Sequence, residues 1–371
     1  VGEEPVTSPR LPEFPWDSLA PAKARAATHP GGLVDLSVGT PADPIPAVIR
    51  AALADDAAQA PGYPPTWGTR RLREAVVAAM ARRHGVSGLS PEAVLPTIGS
   101  KELVAWLPTL LGLGPDDLVV LPELCYPTYE VGARLAGARW VRSDSVVALG
   151  PRRVRLVWIN SPSNPTGRVL PPEHLRKVVD WARERGALVA SDECYLALSD
   201  VGSVSVLHPE VSGGSTEGLL AVHSLSKSSN LAGYRAGFVT GDPRLVAELL
   251  EVRKHAGMMV PRPVQAAMVA ALSDDGHVSA QWSRYRARRA RMRAALTAFG
   301  LRIEHSEAGL YLWATAGEPC RVTVDRLAER GVLVAPGEFY GPAGARHIRI
   351  AVTATDERID EAARRLSDAR G

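Results

Sequence analysis

Of the 43 basic residues in this 371-residue chain only five are lysines (Lys23, Lys101, Lys177, Lys227 and Lys254), so chemistry that needs a primary amine has few candidates. Lys227 stands out by its setting. It follows the apolar run Leu219–Ser224 by three residues, has serines at positions 224 and 226, and is followed eight residues later by Arg235. Two further apolar runs end on polar groups. Leu156–Asn160 continues into Ser-Pro-Ser-Asn-Pro-Thr-Gly, with Asn164 at its centre, and Ala187–Ser191 continues into Asp192, Glu193, Cys194 and Tyr195. An amine can attack or carry a proton, and a carboxylate or phenol can hold or tune the group it acts on. Singly each signal is weak, since an aspartate after a strand is usually a turn or N-cap residue. Three consecutive strand ends offering Asn, Asp with Tyr, and Ser with Lys form a specific combination, because open α/β sheets bind ligands beyond the carboxyl ends of their strands.

Those strand ends require a sheet to hold them. Asp117–Leu121, Leu156–Asn160, Ala187–Ser191 and Leu219–Ser224 are short apolar runs. Helical patterns separate them, Leu103–Leu111 and Pro172–Arg185 among them, and this alternation predicts a mainly parallel sheet covered by helices. Pro172–Arg185 opens on Pro-Pro-Glu and stops before Gly186, which is sound start and stop chemistry. Pro243–Lys254 and Pro263–Leu272 also read as helices. A long helix from about Val278 to Phe299 follows, and its basic run Arg284–Arg293 reads as a solvated face. The patterns Leu310–Ala314, Arg321–Glu329, Val332–Ala335, His347–Val352 and Asp356–Ala369 then describe an α+β unit. The division expected is a large domain over residues 45–272 and a small C-terminal domain over 273–371, with residues 1–44 packing back on the latter.

Composition narrows the function classes. Cys125, Cys194 and Cys320 are far apart with no CxxC spacing, so they read as buried apolar residues rather than a disulfide framework or a metal site. A formal charge of +3 does not signal nucleic-acid binding. No apolar run approaches the roughly 20 residues that cross a bilayer. The polar, proline-rich start lacks signal-peptide character, which leads us to expect a cytoplasmic protein. There is no GxGxxG and no GxxxxGK[ST], which removes the common nucleotide-binding readings.

The order Ser161–Gly167, then Ser191–Tyr195, then Ser224-Leu-Ser-Lys227 with Arg235, resembles the fold-type I pyridoxal-5′-phosphate (PLP) aminotransferases of classes I and II. The resemblance extends from Asp35–Pro41 to His347–Ala351. It implies an α/β large domain with a mainly parallel seven-stranded sheet between helices, a smaller α+β domain, and PLP as cofactor. It also implies amino-acid and 2-oxo-acid substrates. Lys227 would hold PLP as a Schiff base and, once freed, move a proton on the substrate. Asp192 would keep the pyridine nitrogen protonated so that the ring can withdraw electrons. Tyr195 and Asn164 would hydrogen-bond the ring's 3′-oxygen, and Tyr126 would stack on its face. Gly99, Ser100 and Lys101, at a predicted helix start, would offer N–H groups to the phosphate, together with Ser224, Ser226 and Arg235. Arg349 would clamp the substrate α-carboxylate, with Gly39 and Asn164 nearby. It lies inside the apolar pattern Ile348–Val352, where an unpaired charge would be costly. Tyr63 matches a tyrosine that reaches the phosphate of a neighbouring subunit, which implies a homodimer with shared sites. The Asn164–Pro165 bond matches a position where a cis isomer occurs.

A narrower resemblance rests on Phe14–Leu19, Val38–Pro44, Gly99–Pro108 and Tyr126–Gly132, which look like the actinobacterial N-succinyldiaminopimelate aminotransferases. It implies exchange of an amino group between glutamate and the N-succinyl-LL-2,6-diaminopimelate pair, on the lysine and cell-wall route. Such substrates are anionic beyond the α-carboxylate, and Arg262 is the candidate to read the second charge. The alternatives are a different specificity (aspartate or a secondary-metabolite intermediate) or a carbon–sulfur lyase on the same fold. Transcription regulators that use this fold need an N-terminal DNA-binding module, and only about 40 residues precede the core.

Overall fold

The computed structural model describes residues 11–55 and 60–367. Residues 1–10 of the expected N-terminal segment, and the last two residues of the helix expected over Asp356–Ala369, lie outside the described residues.

Seven strands form the large sheet. Across it they run Val94–Ile98, Ala236–Gly241, Leu219–Ser224, Leu188–Asp192, Val154–Asn160, Leu118–Leu121 and Arg139–Arg142. Ala236–Gly241 is antiparallel to both its neighbours, and the other pairings are parallel. Central strands buried on both faces need apolar side chains pointing both ways. Val157 and Ile159 accordingly join one cluster with Leu175, Val178 and Val179. Leu156 and Trp158 join the opposite one with Leu103, Leu107 and Tyr129.

Three of the seven strands carry no clear sequence pattern, each for a local reason. Val94–Ile98 contains Pro96 and sits at the sheet edge, where a missing N–H is tolerated. Arg139–Arg142 closes the opposite edge with only two apolar residues. Ala236–Gly241 needs its glycines for close approach. A Cβ on Gly237 would lie 3.0 Å from the Ser100 nitrogen, and one on Gly241 would collide with the Leu219 carbonyl oxygen.

The second core combines Leu19, Ala26 and Leu36 with Tyr285, Leu312, Ile350 and Ile359. Its antiparallel sheet runs Ala335–Pro336, Ile348–Ala351, Tyr311–Thr315, Arg302–Glu304. A parallel pair, Val34–Asp35 with Val332–Leu333, ties the early chain to it.

The basic helix, observed over Gly276–Ala298, corrects one expectation. Its run is a solvated face only in part: Arg284, Arg286 and Arg293 are exposed, but Arg288 is 1% exposed and Arg289 is also buried. Both share the helical stripe of Gln281, Tyr285 and Met292 that faces inward. Burial is tolerated because acceptors wait there. Arg288 donates to both Asp43 oxygens at 2.8 and 2.7 Å and to Asp356 at 3.0 Å. Arg289 donates to the carbonyls of Gly309 and Ser306. Among the described residues no helix is long and apolar enough to cross a membrane.

Candidate active site

The parallel register sets Asn160 opposite Asp192, and Asp192 opposite Val222, so the polar strand ends lie side by side. Asn160 stitches two of them together. Its amide donates to the Asp192 carbonyl at 2.8 Å and to the Pro162 carbonyl at 3.2 Å, while its oxygen accepts from the Asn164 N–H at 2.7 Å. Asn164–Pro165 is cis, as expected, and so is Ser161–Pro162.

Asp192 is a buried carboxylate with no ion-pair partner among the described residues. It accepts from the Tyr129 hydroxyl at 2.8 Å and from the Cys194 N–H at 3.2 Å. Burial raises its pKa, and these hydrogen bonds oppose the rise without cancelling it. A cationic N–H arriving from a ligand would supply the missing counter-charge. Lys227 lies on the loop after Leu219–Ser224, and its carbonyl accepts from the Tyr285 hydroxyl at 3.2 Å. Burial pushes its amine down to about 8, and the guanidiniums of Arg349 and Arg235 push the same way. It is therefore neutral, and nucleophilic, over far more of the working pH range than a free lysine.

One end of the site is built for an anion. The helix Gly99–Leu110 begins there with the Gly99, Ser100 and Lys101 amides. Gly99 has φ of +70°, and a Cβ on it would collide with Arg235 Nη2, so the guanidinium rests directly on this glycine. Arg235, itself left-handed at φ +57°, is steadied by a 2.8 Å bond to the Ala232 carbonyl. Ser224 Oγ accepts from the Ser226 N–H at 3.1 Å, which orients both residues of the same loop. Lys101 sits at the rim with its ammonium 5.4 Å from the Phe14 ring.

The other end holds Arg349, 2% exposed and without a carboxylate. Its Nη1 donates to Asn164 Oδ1 at 2.9 Å and its Nη2 to the Ser37 carbonyl at 2.7 Å, while Nε has no partner. Its guanidinium lies 4.1 Å from the Tyr311 ring centroid and 5.0 Å from that of Tyr340. The Tyr340 hydroxyl is likewise buried with no partner. Gly39 is required here, since a Cβ on it would lie 2.5 Å from the Tyr311 hydroxyl. Tyr195 meets that same hydroxyl through its own at 3.1 Å. Tyr126 stands edge-on to Tyr129 at 6.0 Å, its hydroxyl pushed up to about 12 by burial.

The structure thus gathers Lys227, Asp192, Tyr195, Asn164, Tyr126, Arg349, Gly39 and the Gly99–Arg235 cradle. Two candidates stand apart. Tyr63 is 92% exposed. Arg262 opens the helix Arg262–Ser273 and lines a separate groove with Val48, Thr69, Arg71 and Gln265. Sequence reasoning missed Tyr129, Asn160, Tyr311 and Tyr340. Tyr129 carried a faint signal, lying three residues after Tyr126, one helical turn on. The others act through tertiary contacts.

A buried acid awaiting a cation, a depressed amine and an anion cradle are the groups that PLP would require. The comparisons agree. The model of the family described as aminotransferase class I and II matches residues 32–366. The chain is 66% identical over 361 residues to the probable aminotransferase Rv1178 of Mycobacterium tuberculosis, covering 97% of this chain and 86% of that protein. It is 60% identical over 358 residues to the 4-dedimethylamino-4-oxo-anhydrotetracycline transaminase of Streptomyces rimosus, covering 96% and 99%. Among solved structures, a probable N-succinyldiaminopimelate aminotransferase from Thermus thermophilus superposes with a TM-score of 0.84 at 32% identity, over 96% of this chain and all of that one. The chain belongs to the class I and II aminotransferases, which are PLP-dependent enzymes.

Proposed function

We propose that this aminotransferase moves an amino group between glutamate and 2-oxoglutarate on one side and a substrate with a second anionic group on the other, N-succinyl-LL-2,6-diaminopimelate first among them. The observation that carries the reading is Arg349, a buried guanidinium with no acid of its own and a free Nε. An α-carboxylate would complete it in two-point fashion. Bound PLP supplies the electron sink that makes the substrate Cα proton acidic. Asp192 would hold the positive charge at the ring nitrogen, and Tyr195 and Asn164 would donate to the ring oxygen. The amine of Lys227, neutral once displaced, would take the proton from the substrate Cα and deliver it to C4′ of the cofactor. Ser224, Ser226, Arg235 and the Gly99–Lys101 amides would hold the phosphate, and Tyr126 would cover the ring.

The reading includes a large domain over residues 45–272, a small one over 273–371, and residues 1–44 joined to the latter. It includes a homodimer in which Tyr63 reaches the partner's phosphate site and Arg262 reads the distal charge. The exposure of Tyr63 is consistent with such a contact. The succinyl specificity draws support from the Thermus relative. The 60% identity to a tetracycline-pathway transaminase favours a second reading, a cyclic ketone in secondary metabolism.

The deciding experiment loads the holoenzyme with glutamate and then offers N-succinyl-2-amino-6-oxopimelate, oxaloacetate, pyruvate and a polycyclic 4-oxo compound. Preference for the succinyl substrate, with Arg262→Ala impairing acidic substrates and sparing alanine, supports the first reading. Preference for the polycyclic ketone replaces it.

A further inference from the structure

Tyr311 has no role in the assignments above, yet its single side chain touches both ends of the chemistry. It begins the strand Tyr311–Thr315 and lies on the face that carries Arg349, because Trp313 pairs directly with Arg349 and Tyr311 stands two residues before it. The ring face lies 4.1 Å from the Arg349 guanidinium. The ring stands steeply inclined, at 75°, to the Tyr195 ring, with centroids 5.6 Å apart. The hydroxyl is 3.1 Å from that of Tyr195. Tyr311 is 3% exposed, so bulk water does not compete for the contact between the two hydroxyls. Gly39 closes over it, leaving no room for even a methyl group.

We infer that Tyr311 is a positioning residue that couples the carboxylate clamp to the hydroxyl tuning the cofactor. The inference rests on the proposed roles of Arg349 and Tyr195. If the Tyr195 hydroxyl donates to the ring oxygen of PLP, its oxygen is free to accept, and Tyr311 is the donor that faces it. A phenol that accepts one hydrogen bond becomes a stronger donor in the next. Tyr311 therefore strengthens the bond from Tyr195 and favours the deprotonated state of the cofactor linkage. Its ring face meanwhile holds the guanidinium plane through a cation–π contact. The same ring touches the clamp and Tyr195, so the two sites share one element.

The test separates the two halves of the residue in the holoenzyme. Tyr311→Phe keeps the face and removes the hydroxyl. The pH midpoint of the visible absorbance band should rise by about half a unit, while inhibition by succinate stays within about twofold. Tyr311→Leu removes both and should weaken succinate by about tenfold. Tyr195→Phe is the control and should move the midpoint further than Tyr311→Phe does. A midpoint that moves for Tyr195→Phe and not for Tyr311→Phe overturns the coupling while leaving the Tyr195 role intact. A midpoint unmoved in both variants overturns the Tyr195 role and the coupling with it. If Tyr311→Phe only lowered the melting temperature, with midpoint and succinate affinity unchanged, the residue would be ordinary packing.

Discussion

Arg288 and Arg349 are buried to almost the same degree, at 1% and 2% exposure, on elements of the same core, yet their surroundings differ in kind. Arg288 uses all three of its nitrogens on two carboxylates, Asp43 and Asp356. Arg349 has two neutral oxygens, two tyrosine faces and an idle Nε. Removing a charge from water costs several kcal/mol unless a partner compensates. At Arg288 the protein supplies the partner, and the pair joins the early chain to the second core. At Arg349 the arrangement becomes economical only when an anion arrives from outside. Asp192 repeats the lesson with opposite sign, against Glu102, which is held by two bonds to the buried Arg253 at 2.7 and 3.1 Å. Asp192 and Arg349 belong to the cluster around Lys227, whereas the Arg288 and Arg253 pairs join elements of the fold to one another, and Arg289 is buried on carbonyls alone.

That contrast can be broken at several points. The largest effect should come from Lys227→Ala, which should abolish the borohydride-fixable PLP adduct and lower kcat by at least about 10⁴-fold. If Lys101→Ala removed the adduct instead, the assignment of the amine would be wrong. Asp192→Asn should keep PLP binding and slow transamination on the order of a thousandfold, through loss of the ring's counter-charge. A variant within tenfold of wild type would contradict that role. Arg288→Met leaves the partly buried Asp43 with only the Gln281 hydrogen bond, so it should lose about 3–5 kcal/mol of stability in denaturant melts. Its folded fraction should keep near-native kcat. Smallest is a pH effect. Burial lowers the Lys227 amine to about 8. Below that value the protonated, non-nucleophilic form dominates, so PLP recombination with the apoprotein should quicken roughly tenfold per pH unit up to about pH 8 and then level off. A rate still climbing at pH 10 would show an amine that burial has not perturbed.

The strands that carry the chemistry were legible because burial on both faces writes a continuous apolar run, as in Leu219–Ser224, ending in a polar group. The edges were not, since Pro96 interrupts the pattern of one, although that strand is buried, and two arginines mask the other, which buries little. The glycine-bearing Ala236–Gly241 is explained only by the backbones that press on it. The arginine run is solvated at Arg284, Arg286 and Arg293, but the helical period turns Arg288 inward towards Asp43, a partner more than 200 residues away in sequence. Arg349 could be singled out because it interrupts an apolar strand. Tyr311 and Tyr340 could not, because an aromatic residue in a buried strand or turn is ordinary until its neighbours are known. Tyr63 is exposed and Arg262 lines a separate groove, which no pattern in a single sequence foretells.

The most direct test of the central claim is a single paired measurement on Arg349→Met, comparing thermal unfolding of the holoenzyme with kcat/KM for a charged and a neutral amino donor. A guanidinium kept for substrate should be dispensable to the fold. The melting temperature should hold or rise, while kcat/KM falls by roughly 30- to several-thousand-fold for both donors alike. A melting temperature that drops as far as that of Arg288→Met, with kcat/KM of the folded fraction within a few-fold of wild type, would contradict the account.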